Sequence, residues 1–307
     1  MKKVFIIIVN WNGKKDTIEC LESVRLLQVT SYKLQVIVVD NGSTDDTISQ
    51  ISKFKTQNQN LKLEVIKNKK NLGFAEGNNV GIRYALENEA DYIVLLNNDT
   101  IVDQNLVSKL SEVMEGDKSI GIVSPKIYFA LGCEYHHDRY TEKDRGRVIW
   151  YAGGILDRQN VLASHRGVDE IDQGQYNKTQ ETDFATGCCM IIKKEVFKKI
   201  GFFDAKYFVY WEDIDFCERA KKAGYKICYV PSAYLWHKNA SSSDKPGSEL
   251  HQYYQTRNRL LFAFKYASIK PKLALVRESL KFLLRDGVRR QAVVDFILRR
   301  SGAKNNH

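Results

Sequence analysis

Along the first third of the chain, short runs of consecutive aliphatic and β-branched residues alternate with stretches whose apolar positions recur at helical spacing. Residues 4–9 precede such a stretch at 14–27, residues 34–39 one at 44–55, residues 61–66 one at 76–89, and residues 92–96 one at 104–114. A strand that is apolar at every position is buried on both faces, and strands separated by helices run parallel. The pattern therefore predicts an α/β fold, a Rossmann-like, mainly parallel sheet flanked by helices.

Sheets of this kind bind ligands beyond the carboxyl ends of their strands, so the polar residues there are read first. They are Asn10 and Asn12 after the first run, Asp40-Asn41-Gly42-Ser43 after the second and Asn97-Asn98-Asp99 after the fourth. The third junction adds Lys67, Lys69 and Lys70 with Asn71-Leu72-Gly73. Ser43 or Thr44 with Asp46 matches a capping box for the next helix. That leaves Asp40 as an acceptor aimed into the crevice, suited to an imide N–H. Asp99 offers a hard oxygen ligand of the type that Mg2+ takes from carboxylates, completed by water and phosphates.

From residue 120 to 238 the pattern is less regular. A polar insertion at 133–147, with Glu134, His136, His137 and Asp138, reads as solvated loop. A dense aromatic and acidic run follows, in which Tyr207, Phe208, Tyr210 and Trp211 lead into Glu212-Asp213-Ile214-Asp215-Phe216. Carboxylates in a first helical turn complement the helix dipole. Beside aromatic walls they also suit a general base, with Tyr210 and Trp211 available to stack on an acceptor sugar. His237 leaves an apolar strand for a Ser-rich segment, where it can meet a metal or a diphosphate.

Composition narrows the class. The 307 residues carry 47 Lys+Arg against 37 Asp+Glu, a net +10. Of these, 11 basic and 3 acidic residues lie between Lys265 and His307, so the C-terminal segment holds +8 and the body is nearly balanced. Acidic residues accompany the aromatic run and would repel phosphate, which excludes nucleic acid as a partner. Six cysteines without metal-finger spacing indicate a reducing, cytoplasmic compartment. Residues 4–9 are too short for a signal peptide core and lead straight into Asn10-Trp11-Asn12-Gly13.

Taken in order, Val-Asn-Trp-Asn-Gly, Val-Val-Asp-Asn-Gly-Ser-Thr-Asp, Asn-Leu-Gly-Phe-Ala-Glu-Gly-Asn-Asn-Val-Gly, Leu-Leu-Asn-Asn-Asp-Thr, Ala-Thr-Gly-Cys-Cys-Met, Trp-Glu-Asp-Ile-Asp-Phe-Cys and Trp-His-Lys form seven motifs. Between residues 4 and 265 the chain thus resembles family 2 glycosyltransferases of the GT-A fold, in particular their rhamnosyltransferase-like branch. The resemblance implies inverting transfer from a nucleotide-sugar donor, with dTDP-rhamnose as the branch's suggestion, to a lipid-linked or surface polysaccharide acceptor. It implies that Asp40 holds the nucleobase and that Asn71, Gly73 and Asn78 line the nucleotide, in the crevice of Asn10, Asn12, Asn41 and Asn98. It further implies a divalent cation, Mg2+ or Mn2+, at Asp99 with His237, and Asp213 as base with Glu212 beside it. The departure is Asn97 where many members carry the first Asp of D-x-D, which leaves one carboxylate for the metal.

The expected division is a catalytic domain over 1–264 and a basic helical segment over 265–307. A helix from Pro271 would place Leu273, Val276, Leu280, Leu283 and Leu284 on one arc, with Arg277, Lys281 and Arg285 beside it. Such a helix suits a peripheral position on an anionic membrane. Two other readings stand beside the transferase. A sugar-phosphate nucleotidyltransferase would need a Gly-rich basic loop where Asn10-Trp11-Asn12-Gly13 stands, and a catalytically weak nucleotide-sugar-binding protein would keep the crevice without turnover.

Overall fold

The computed structural model describes residues 1–29, 31–239, 247–285 and 287–304. The chain begins β1 (Lys2–Asn10), α1 (Lys14–Val24), β2 (Tyr32–Asp40), α2 (Thr47–Gln57), β3 (Leu63–Lys67), α3 (Gly73–Glu87), β4 (Tyr92–Asn97), β5 (Thr100–Val102) and α4 (Leu106–Gly116). Next come β6 (Ile120–Phe129), β7 (Ile149–Tyr151), β8 (Gly154–Asp157), β9 (Leu162–His165), β10 (Gln180–Glu181), β11 (Cys189–Lys193) and α5 (Lys194–Ile200). They are followed by α6 (Glu212–Lys222), β12 (Lys226–His237), α7 (Glu249–Tyr266), α8 (Ile269–Leu283) and α9 (Val288–Ile297).

The main sheet has the order β10-β12-β6-β11-β4-β1-β2-β3. Its long pairings, β1 with β2 and β4, β2 with β3, and β6 with β12, are parallel, while β11 enters antiparallel between β4 and β6. The continuous apolar runs form its centre: Ile6, Ile7, Ile8, Val36, Ile37, Val38 and Val94 are fully buried. Register then does the functional work. Asn10 pairs with Asp40, Val9 with Asn97 and Asp40 with Lys67, so the polar residues that end four strands share one edge.

Two helix starts differ from the sequence expectation. The capping box over Ser43–Asp46 does not form, and α2 begins at Thr47 with no side-chain cap. Ser43 Oγ instead accepts from Asn10 Nδ2 at 3.0 Å and from the Asn12 amide at 2.9 Å, while the Thr44 amide donates to Asn12 Oδ1 at 2.8 Å. The strand-end turn has claimed the hydroxyl that would have capped the helix. In turn, α3 starts three residues earlier than its pattern, at Gly73, whose φ of +80° suits glycine.

At the C-terminus, α7 runs through the 264/265 position where the charge changes. Tyr253 donates to Asp295 Oδ2 at 2.7 Å and Phe264 packs on Phe296, which fastens α9 to α7. Pro271 lies in the first turn of α8, which buries Pro271 and Leu275 and half-buries Phe282 and Leu283. The Ser-rich segment expected to carry on from His237 lies mostly outside the described residues. No described helix is long and apolar enough to cross a membrane.

Candidate active site

Asn10 is the hub at the end of β1. Its amide nitrogen donates to Asp40 Oδ1 at 2.9 Å, and its carbonyl accepts from Thr17 Oγ1 at 2.8 Å and the Gly13 amide at 3.2 Å. Asn98 Nδ2 closes the same network on Thr17 Oγ1 at 3.0 Å. Asn10 and Asn98 therefore hold the crevice from behind, with side-chain groups already engaged. Asp40, 3 % exposed, also accepts from the Ser43 amide at 3.1 Å. Asn12 has a left-handed backbone (φ 52°) and uses its carbonyl on Thr44. Its neighbour Trp11 is 44 % exposed at the same strand end, an open ring that the sequence reading passed over.

The third junction is knitted by amides. Asn41 Nδ2 donates to the Gly73 carbonyl at 2.9 Å, Asn68 Nδ2 donates to Asn41 Oδ1 at 2.8 Å, and the Gly73 amide donates to Asn71 Oδ1 at 2.8 Å. Asn78 is buried one turn into α3 and donates to the Phe74 carbonyl. A Cβ on Gly73 would lie 2.5 Å from the Phe208 ring, so this loop packs directly on the aromatic run from the other half of the chain.

The antiparallel pairing of β5 with β12 sets His237 opposite Thr100, and the Lys238 amide donates to the Asp99 carbonyl at 2.9 Å. These contacts bring His237 Nε2 to 3.1 Å from Asp99 Oδ1, both side chains 6 % exposed. Burial alone would raise the Asp99 carboxyl, but its contacts with His237 and the nearby Lys238 charge outweigh it and hold it below the usual range. The other imidazole nitrogen, His237 Nδ1, makes no hydrogen bond. A buried, ionised carboxylate oxygen beside an imidazole nitrogen fits a divalent cation that draws its other ligands from phosphate and water. No group of three or more such ligands exists among the described residues.

Trp150 packs edge-on against both His237 and His165, at centroid distances of 4.5 and 4.4 Å. Burial pushes the His165 imidazole down to about 4, so it is neutral at physiological pH. Neither Trp150 nor His165 carries a sequence signal, because β7 and β9 are too short for periodicity.

The two carboxylates of the acidic run open α6. Asp213 Oδ2 accepts from the Gly187 amide at 2.9 Å and Oδ1 from the Ile214 amide at 2.8 Å. The adjoining Cys188 carbonyl accepts from the Asn97 amide at 2.9 Å, so one turn ties Asp213 to the end of β4. Burial raises the Asp213 carboxyl against the pull of those two amides. Glu212 is 4 % exposed, its Oε2 has no partner, and burial together with the Asp213 charge drives its carboxyl well up. Of the two, Asp213 is the carboxylate whose oxygens are both met by amide donors.

The segment entering α6 is bent sharply. Phe208, Tyr210 and Trp211 all have left-handed backbones, with φ of 66°, 67° and 74°. Side chains of α7 hold it there. Asn258 Nδ2 donates to the carbonyls of Tyr207, Val209 and Tyr210, each at 2.8 Å. Arg257, 1 % exposed, donates to the carbonyls of Lys206, Tyr207 and Gly302. Trp211 is turned inward, 4 % exposed, with its indole on Gln255 at 2.8 Å, so its buried face is unavailable for the sugar stacking expected of it. Tyr210 is half-buried, edge-on to His251. Arg257 and Asn258 escaped the sequence reading because a helix residue that caps distant carbonyls leaves no periodic trace.

A mainly parallel sheet with Asp40 and Asp99 at its strand ends, and Asp213 in the first turn of a helix tied to them, has the GT-A architecture. A sequence model of glycosyl transferase family 2 matches residues 5–201, and the chain belongs to that family. A second, described as the N-terminal domain of galactosyltransferase, matches residues 171–239. Among curated relatives, the low-salt glycan biosynthesis hexosyltransferase Agl10 of Haloferax volcanii is 28% identical over 83% of this chain and 74% of its own. The N-acetylglucosaminyl-diphospho-decaprenol L-rhamnosyltransferase of Mycobacterium tuberculosis is 25% identical over 74% of each chain. The dTDP-rhamnosyl transferase RfbF of Shigella flexneri is 22% identical over 90% and 84%. Similar solved structures include GalNAc-T7 with UDP, GalNAc and Mn2+ (TM-score 0.62, 16% identity, 84% of this chain and 47% of that one). They also include the mannosyltransferase PcManGT of Pyrobaculum calidifontis with GDP-Man and Mn2+ (TM-score 0.58, 15% identity, 97% and 88%).

Proposed function

We propose that this family 2 glycosyltransferase transfers a hexosyl or deoxyhexosyl unit, of which dTDP-rhamnose is our leading donor, to a hydroxyl of a lipid-linked or surface polysaccharide acceptor, with inversion. The observation that carries this is the Asp213 carboxylate, fixed by two amides and tied through Cys188 to the strand end that bears Asp99. The names of the Mycobacterium and Shigella relatives support the sugar and the acceptor class. Six free cysteines fit a cytoplasmic setting.

Asp213 takes the proton from the acceptor hydroxyl as its oxygen forms a bond to the anomeric carbon. The bond from that carbon to the diphosphate oxygen breaks on the opposite face, and the nucleoside diphosphate leaves. Asp40 accepts from the nucleobase, and the loop of Asn41, Asn71 and Gly73 seats the nucleotide beside it. Asp99 and His237 would hold a divalent cation, which when bound supplies positive charge to the leaving diphosphate. Tyr210 borders the acceptor side.

The test is Asp213→Asn, measured by transfer from dTDP-rhamnose and by nucleotide binding in calorimetry. Turnover should fall by about 10² or more, the scale of a lost general base, with dTDP affinity retained. Near-normal turnover removes Asp213 from this role.

A further inference from the structure

The basic amphipathic pattern read from the sequence has a specific three-dimensional form. Helix α8 is seated on the molecule through Pro271 and Leu275, and it leaves the opposite side bare. There Ile269, Leu273, Val276, Leu280 and Leu284 are 67, 54, 39, 55 and 88 % exposed. Their spacing of four, three, four and four residues draws one continuous apolar stripe along the helix. Leu283, expected on the same arc, is half-buried and belongs to the seated side.

One side of the stripe is charged in a single sense. Lys270, Arg277, Lys281 and Arg285 are exposed next to stripe residues, and none of them forms an ion pair among the described residues. The two described acids of the segment are turned to internal use: Glu278 meets Arg259 at 3.1 Å, and Asp295 takes the Tyr253 hydroxyl and Arg300. Among the described residues, no carboxylate offsets the four cations beside the stripe. Large aliphatic side chains with a row of cations along one flank match the interface of an anionic bilayer, where acyl chains and headgroup phosphates lie a few ångströms apart. A second copy of this chain would bring the same four cations against themselves.

We propose that the outer face of α8 docks the protein onto anionic membrane, with the helix lying in the interfacial plane. The test is flotation of the full-length protein with vesicles of phosphatidylcholine alone and of phosphatidylcholine and phosphatidylglycerol in equal parts. Recovery should be high only on the anionic vesicles and should fall as salt is raised. Arg277→Glu with Lys281→Glu should lower the partition coefficient at least 25-fold, at about fivefold for each cation lost. Leu273→Ser with Leu280→Ser should abolish flotation with the thermal melt unchanged, because both side chains are already exposed. Equal recovery of wild type and both variants overturns the proposal. So does a wild-type dimer in light scattering that the leucine variant splits, with no flotation, since the face then serves a second copy. None of these readouts involves glycosyl transfer, so they stand or fall separately from the proposed activity.

Discussion

Replacing Asn258 with leucine removes the donor that bends the segment ahead of the carboxylate pair while keeping the branched shape of the side chain. Three non-glycine residues in left-handed conformation store strain on the order of 1–3 kcal/mol each, so roughly 3–9 kcal/mol sits in Phe208, Tyr210 and Trp211. Against it, the Asn258 amide has two protons shared among three carbonyls at 2.8 Å. Its loss takes away about 1–3 kcal/mol of net hydrogen bonding and leaves buried acceptors bare, so about 3 kcal/mol of restraint disappears. That is more than a hundredfold in the ratio of held to released segment. The expected outcome is a drop in kcat of about 10–100-fold, a donor KM within about threefold of wild type, and a lower melting temperature. Steady-state transfer kinetics and differential scanning calorimetry on the same preparation check it. A fall in melting temperature with kcat unchanged would refute the reasoning, since Asn258 would then support the fold without positioning Asp213.

Three further outcomes follow from the same geometry. Glu212→Gln should raise the melting temperature, because an acid whose carboxyl is pushed up by burial stabilises the fold below its unfolded value and loses that contribution as pH rises; the gain should be larger at about pH 8 than at about pH 5 by thermal shift. Asp99→Asn should cut the Mn2+-dependent part of nucleoside diphosphate affinity in calorimetry while leaving metal-free affinity in place; an unchanged Mn2+ increment would remove Asp99 as a ligand. Gly73→Ala should destabilise by roughly 2–4 kcal/mol in urea melts, from the positive φ and the 2.5 Å approach to Phe208, and a change below about 0.5 kcal/mol would contradict that packing.

Much of the site was legible because a doubly covered parallel sheet leaves its strands uniformly apolar. Asp40 and Asp99 stand out at the ends of such runs, and the register of β1 with β2 and β4 brings those ends together. Local rules failed where a residue serves a distant partner. Ser43 looks like a helix cap and instead answers Asn10 and Asn12 across 30 residues of chain. Trp211 looks like a stacking platform and is turned onto Gln255. Asn258 reads as an ordinary helix residue, although its amide sets the path of the chain 48–51 positions upstream.

That last dependence has a meaning for biosynthesis. A ribosome making this chain completes Asp40, Asp99 and Asp213 well before it reaches Arg257 and Asn258, and Arg257 in turn is bound to the carbonyl of Gly302. Until α7 clears the exit tunnel, the bend at 208–211 lacks the Arg257 and Asn258 donors and keeps only contacts such as that of the Phe208 carbonyl with the Ala75 amide. The path into Glu212 and Asp213 is therefore secured late in synthesis, after the sheet that carries Asp40 and Asp99 is already complete.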